Sequence, residues 1–424
     1  MKYTDILASI YARNGKSSFY TLGRTLRAAH GLGDPQEGFR AVHVTGSNGK
    51  GSVARMVAEI MHRSGLKTGL FTSPHVHRYT ERIRIGRREI PRREVERRFE
   101  AIETLRLAGK IPWITFFEIT TLIAFDWFAR ERVDLAVVEV GLGGRLDATN
   151  ICRSVVDVIT TIGLEHTNIL GTTISQIARE KAGILRTGMP VVCGRLAPAA
   201  ERIILARAAR KGAPVRRLGT EYHVTDRGDG GFDYQGDLLA YDALRTALPG
   251  VHQVHNAGVA IAVVEELVRL GYAVDPSAVP GALRRVRWEG RLETVSRRPE
   301  IVLDCAHNLP AIRNLVGQLD GRKFHLVFGA LVDKPIEKMI AALMPLARRV
   351  YVSAPRVNRA PSLDILGRRC GKKPYRTVSD ALDAAVRDAR RTGLPVLVTG
   401  STFVVSEARA RVLHLKRVDP PVSM

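Results

Sequence analysis

The chain has 424 residues, with 65 Lys+Arg against 42 Asp+Glu and a formal net charge of +23. Its hydrophobic share of 45% and charged share of 25% are ordinary globular proportions, which exclude a disordered, collagen-like or coiled-coil chain. No apolar run approaches the ~20 residues of a membrane-spanning helix, and the length suits two or three domains with their own cores.

Short apolar runs alternate with stretches of helical period, the pattern of an α/β protein with a mainly parallel sheet. AVHVT (41–45) reads as a strand, followed by a Gly-rich turn and a helix near 50–64. LKTGLFT (66–72) is the next strand. Pro91 reads as the N1 proline of a helix running to about Leu107. Thr115 and Glu118 have capping-box spacing before an apolar helix that ends near Arg130. VDLAVVEV (133–140) and VVDVITTIG (155–163) read as buried strands, and a helix is expected between Thr172 and Ile184. From Gly219 to Tyr241 the texture turns to Gly and Asp with weak alternation, as in small hairpins, and helices follow near 252–271 and 276–286. The α/β rhythm restarts after Arg291 with IVLDCA, FHLVFGA, RRVYVSA and PVLVTGS. The expectation is a P-loop-type ATPase domain over 1–293 and a smaller Rossmann-like α/β domain over 294–424.

Arginine dominates the cations, and a chain this basic invites a nucleic-acid reading. The densest stretch, Arg82 to Arg98, alternates with Ile, Val and Glu and lacks interleaved aromatic rings. A solvated hairpin and helix face is therefore expected, without a nucleic-acid partner. Cys152, Cys193, Cys305 and Cys370 are widely spaced and form no C-x-x-C pair, which fits a reducing cytoplasm rather than a disulfide or zinc scaffold. The N-terminus carries no apolar signal-peptide core, and no membrane partner is expected.

Gly46-Ser47-Asn48-Gly49-Lys50-Gly51-Ser52 lies between a buried strand and a helix, where backbone N–H groups and the helix dipole can cradle phosphate. Gly49, Gly51 and Ser52 belong to this cradle, and Lys50 would set its charge against the β/γ-phosphates of ATP. The common Walker spacing is absent: Val44 stands where Gly is wanted, and the hydroxyl is delayed to Ser52.

VTGSNGKGS, TSPH (72–75), EVGLGGRLDATN (139–150), GLEHT (163–167), EKAGI (180–184), HQVHNA (252–257), WEGRLE (288–293), DCAHN (304–308) and FGALVDK (328–334) share one order and spacing. In this the chain resembles the folylpolyglutamate synthase/dihydrofolate synthase family of Mur-ligase-like ATP-dependent amide ligases. Departures are small: Ser47 where Thr is usual, Glu165 where Asp is usual and Cys305 where Gly is usual.

The resemblance implies a site map. Ser73, Glu139 and His166 match the family's Mg²⁺ ligands. Glu139, ending a buried strand, suits a hard cation that prefers oxygen, whereas His166 by chemistry alone reads as a capped loop histidine. Lys181 reads as an exposed helical lysine, while the matching family lysine is N6-carboxylated beside a second metal. Asn256, Arg291 and Asp304 match ATP contacts, which implies ATP between the two domains. Thr115, Phe116, Phe117, Glu118, Leu146, Asp147 and Ala148 would line the pterin pocket. Core packing explains the two rings equally well, and the capping box explains Glu118. His307 is either catalytic or a structural hydrogen-bonding group. The implied reaction joins L-glutamate to dihydropteroate, to the γ-carboxyl of a reduced folate, or to both, through an acyl phosphate, in a cytoplasmic monomer. The alternatives are a Mur-like ligase with another acid substrate and a nucleic-acid-stimulated P-loop ATPase.

Overall fold

The computed structural model describes residues 2–13, 21–228, 230–319, 321–416 and 418–420. They divide into two compact units, one comprising residues 1–75 and 80–287 and the other residues 76–79 and 288–424. The division thus falls at 287/288 rather than 293/294, because WEGRLE packs with the strand pair that follows it.

The first unit is built on eight strands: β1 (Ala41–Thr45), β2 (Thr68–Phe71), β3 (Ile83–Ile85), β4 (Arg88–Glu89), β5 (Leu135–Glu139), β6 (Ser154–Ile159), β7 (Val191–Cys193) and β8 (Val215–Arg217). Their order is β4-β3-β2-β5-β1-β6-β7-β8. From β2 to β8 every neighbouring pair is parallel, and β3 and β4 add an antiparallel hairpin at one edge. The apolar runs are buried on both faces, as a helix-covered parallel sheet requires. β1 lies between β5 and β6: the chain runs from β1 to β2 on one side of the sheet, and from β5 past β1 to β6 on the other. Such a switch point opens a crevice at the carboxyl ends of the strands.

Several local expectations shift. Pro91 is the N-cap of helix Arg92–Leu107, with extended backbone at φ −61° and ψ 143°, so its ring precedes the first helical residue. The helix expected over 172–184 is a helix Ile174–Lys181 capped by Thr173 and continued by a 3₁₀ turn. The arginine-rich run is only partly solvated: Arg82, Arg84 and Arg98 are buried. The Arg82 guanidinium lies 5.1 Å from the Phe116 ring centroid, and its Nε donates to His75. Arg98 is flanked by Glu94 and Asp126.

The Gly- and Asp-rich stretch forms a small antiparallel sheet of β9 (His223–Asp226), β10 (Gly231–Gln235) and β11 (Ala240–Arg245). Glu265, on helix Val251–Arg269, anchors it by accepting from Leu238 N, Leu239 N and the Tyr234 hydroxyl.

The second unit carries β12 (Glu293–Arg297), β13 (Glu300–Leu303), β14 (Phe324–Phe328), β15 (Ala347–Val352) and β16 (Val396–Thr399), ordered β12-β13-β16-β14-β15. All pairings are parallel except β12 with β13. Strand residues alternate between two cores. Leu326 and Phe328 pack with Ile312, Ile336 and Met339, whereas Val327 faces Val378, Ala381 and Val404. Helices therefore cover both faces, giving a doubly wound, Rossmann-like unit. No helix among the described residues is long and apolar enough to cross a membrane.

Candidate active site

β1 leads through Gly46–Gly49 into helix Lys50–Arg63. Two glycines are sterically required here. Gly46 has φ +150°, and a Cβ on it would lie 1.9 Å from Thr160 Oγ1. Gly49 has φ +88°, and its Cβ would lie 2.5 Å from Asn256 Oδ1. The residues after β6 pin the loop. Ser47 N donates to Thr161 O at 2.8 Å, Asn48 N to Thr161 Oγ1 at 3.0 Å, and Thr160 Oγ1 to Asn48 O at 2.6 Å. Ser47 Oγ donates to Gly163 O and accepts from Gly163 N, so the serine at this departure from the family pattern holds the loop. The result is a preorganised turn whose N–H groups at residues 50–52 head a fourteen-residue helix, a natural anion cradle. The Lys50 ammonium spans the loop to Gly46 O at 2.7 Å. Gly51 and Ser52 are buried in the first turn. Asn256, held by its amide on Gln253, lies against Gly49.

The neighbouring strand tips bring in the acidic groups. Glu139 lies opposite Val44 in the β1–β5 register, beside the loop, and its Oε2 accepts from Ser73 N at 3.0 Å. His166 caps a short helix from the left-handed region, φ 45° and ψ 43°. Lys181, expected to be exposed, is 1% exposed, and its ammonium donates to Glu165 Oε1 at 2.7 Å. Burial draws the Lys181 pKa down to about 8, and the Lys50 charge adds to this against the pull of Glu165. Burial by itself would raise the Glu165 carboxyl, but Lys50 and Lys181 together hold it at about 2. A buried cation, Lys181, and a half-buried carboxylate and cation, Glu165 and Lys50, are thus coupled beside the phosphate loop.

Among the described residues, no three His, Cys, Asp or Glu side chains gather as a closed metal cage. One carboxylate at a strand tip with a hydroxyl residue beside it still fits Mg²⁺, which keeps several waters and takes phosphate oxygens as its other ligands.

The residues expected around the pterin separate into distinct roles. Thr115 and Glu118 form a complete capping box, and Glu118 also accepts from Thr25 Oγ1 and lies 3.5 Å from Arg24. Phe116 is buried between Tyr11 and Arg82. Phe117 is half-buried, its ring 5.9 Å from that of Phe71 and against Gly141, where a Cβ would come within 2.4 Å. It is therefore the more exposed of the two rings, near the tips of β2 and β5. Asp147 is buried and spent on its own loop, accepting from Leu142 N, Thr149 N and Thr149 Oγ1, while burial raises its pKa. Leu146 is half-buried and Ala148 buried beside it.

In the second unit, Asp304 ties two loops together. Its Oδ2 accepts from Leu292 N and its Oδ1 from Ala306 N. Burial raises its pKa, while Arg291 pulls the other way. His307 Nδ1 lies 2.9 Å from Cys305 O, a geometry in which Nδ1 donates to the carbonyl and the ring is held in one orientation.

Sequence reasoning did not single out Thr160 and Thr161, which hold the loop, or the ion-pair role of Glu165. The threonine pair closing a buried strand was the available signal.

Two family models match the chain: the Mur ligase middle domain over residues 44–264 and the Mur ligase, glutamate ligase domain over residues 290–402. A folylpolyglutamate synthase of Lacticaseibacillus casei is 32% identical over 97% of this chain and 99% of its own length. A dihydrofolate synthase/folylpolyglutamate synthase of Escherichia coli is 36% identical over 86% of this chain and 84% of its own length. Among solved structures, E. coli FolC in complex with DHPP and ADP superposes with a TM-score of 0.89 at 31% identity, covering 98% of both chains. An FPGS–AMPPCP–folate complex superposes with a TM-score of 0.87 at 32% identity, covering 97% of this chain and all of the other.

Proposed function

The chain belongs to the Mur ligase family and, within it, to the folylpolyglutamate synthase/dihydrofolate synthases, and from that membership we propose how its residues divide the work. It is an ATP-dependent, amide-bond-forming ligase. Its substrates in this reading are L-glutamate and a pterin-bearing acid, either dihydropteroate, a reduced folate, or both.

A carboxylate oxygen is a poor leaving group. The substrate carboxylate therefore attacks the γ-phosphorus of ATP and ADP departs. The α-amine of glutamate then adds to the acyl carbon of the acyl phosphate and expels phosphate. The protein's share is positioning and charge neutralisation. The N–H groups of Lys50, Gly51 and Ser52 and the Lys50 ammonium receive the phosphates, and Asn256 contacts the nucleotide beside Gly49. Arg291 and Asp304 are proposed as further nucleotide contacts, and His307 as a group that binds or exchanges a proton through Nε2. Phe117 stacks on the pterin, while Phe116, Glu118 and Asp147 shape the pocket wall with Thr115, Leu146 and Ala148.

Ser73, Glu139 and His166 would hold Mg²⁺, which when bound neutralises phosphate charge and orients the γ-phosphate. Lys181 is proposed to be N6-carboxylated. Its lowered pKa enlarges the fraction of neutral amine, the form that adds CO₂, and the modification would exchange its ion pair with Glu165 for an anionic group.

The observation that carries the reading is the loop pinned between β1 and β6, with Lys50 across it and Glu139 and the Glu165–Lys181 pair at the same edge. Phosphate release measured with ATP, Mg²⁺ and glutamate tests it. Release that requires either dihydropteroate or a reduced folate is expected, and release with neither would refute the substrate class.

A further inference from the structure

The second unit contains a concavity of about 690 Å³ that the ligase reaction does not use. One wall is the N-terminal half of β15, the edge strand of its sheet, which contributes Arg348 and Arg349. The other wall is the segment before helix Val378–Thr392, which contributes Lys372, Lys373 and Arg376. The floor is apolar, with Met344, Val350 and Pro374, and Tyr375 is half-buried among them. The Tyr375 backbone N–H donates to Val352 O at 2.8 Å, which fixes the second wall against the strand.

Five cations thus face one cavity, and a single carboxylate, Asp380, lines it with them. Asp380 is engaged at its own helix cap, accepting from Thr377 N at 3.1 Å. Arg349 pairs with Asp388 at 2.8 Å. For Arg348, Lys372, Lys373 and Arg376, no ion pair or side-chain hydrogen bond occurs among the described residues.

Charged side chains on an edge strand commonly protect it from pairing with another chain. That accounts for Arg348 and Arg349. It leaves unexplained why three further cations from a separate segment converge on the same concavity, since like charges gathered without counter-ions raise the energy of the fold. An anionic ligand would recover that energy. The cations come from two separate segments, β15 and residues 372–376, with Val350, Pro374 and Tyr375 lining the same concavity, which suits a ligand carrying several negative groups joined by apolar links better than a single compact anion.

We propose that this groove binds an oligo-γ-glutamyl chain, whose free α-carboxylates, one per unit, face Arg348, Lys372, Lys373 and Arg376 while its methylenes lie over Val350, Pro374 and Tyr375. The choice of polycarboxylate over polyphosphate rests on the proposed glutamate-adding reaction, whose products gain one carboxylate at each addition. The groove is a binding site apart from the reacting atoms.

The test is calorimetric titration of the full chain with tetra-γ-glutamate, alongside the variant Lys372→Gln/Lys373→Gln/Arg376→Gln. Arg202→Gln/Arg207→Gln/Arg210→Gln, on the first unit, serves as the charge-matched control. The expected result is salt-sensitive binding that weakens roughly tenfold or more in the groove variant and persists in the control. Equal binding by all three proteins, or no binding by any, overturns the proposal. So does a groove that takes tripolyphosphate or an oligonucleotide but not tetra-γ-glutamate. Glutamate addition to a monoglutamate folate, assayed on the same proteins, should be unchanged in the groove variant. A wild-type chain that binds tetra-γ-glutamate yet adds no glutamate would count against the ligase reading and leave the groove standing.

Discussion

Replacing Asp157 with asparagine should remove a pH-dependent weakness from the first unit. Asp157 sits within β6, fully buried, with Oδ2 accepting from Arg186 N at 2.8 Å and Oδ1 lacking a hydrogen-bond partner among the described residues. Burial pushes its pKa from 3.8 up to about 6, against the opposing pulls of Ser154, the Arg186 N–H and charge, and Lys211. The fold therefore holds this proton more tightly than the unfolded chain does. Its contribution to stability is fully present below pH ~4 and is lost as pH rises through about 6. A shift of this size corresponds to about 2.5 kcal/mol between pH 4 and pH 8. Asp157→Asn keeps an acceptor for Arg186 N and abolishes the titration. Urea unfolding of both proteins across that range should show the variant gaining on the wild type by about 2.5 kcal/mol as pH rises, whatever constant offset the amide introduces. A pH-independent difference, or a variant that loses ground at high pH, would refute the reasoning.

Three further outcomes follow from the site. Gly49→Ala must place a Cβ at φ +88° and 2.5 Å from Asn256 Oδ1, a cost of roughly 1–2 kcal/mol for the backbone alone; nucleotide affinity measured by titration with an ATP analogue should fall about tenfold or more. Phe117→Ala should lower kcat/KM for the pterin substrate by about tenfold with little change in stability, whereas Phe116→Ala, which empties the space between Tyr11 and Arg82, should cost about 3–5 kcal/mol of stability. Lys181→Ala should leave the half-buried Glu165 without its ion-pair partner and abolish ligation, and ¹³C-bicarbonate NMR of the wild type should show a carbamate resonance that the variant lacks.

The parallel strands were legible because their apolar runs are buried on both faces, and the phosphate loop because glycines flank a lysine between a strand and a helix. The division at 287/288 was less so: residues 288–292 join the second unit through Asp304 and Leu292, a pairing that local periodicity does not carry. Lys181 illustrates a deeper limit. A lysine in a polar helical stretch reads as solvated, and only the tertiary fold shows Glu165 compensating its burial. The same holds for Arg82 and Arg98, whose run reads as surface until Phe116, Glu94 and Asp126 fold against it. Phe116 and Phe117 are adjacent and chemically identical, so their different roles depend on which ring meets Arg82 and which meets Gly141.

The proposed mechanism couples ATP cleavage at the loop pinned by Thr160 and Thr161 to amide formation with glutamate. The most direct measurement follows ADP and the glutamylated product together, with ATP, Mg²⁺, L-glutamate and either dihydropteroate or a reduced folate. Equal amounts of ADP and amide product, both lost in Lys50→Met, are predicted. ADP formation that ignores glutamate and the pterin acid would contradict the account.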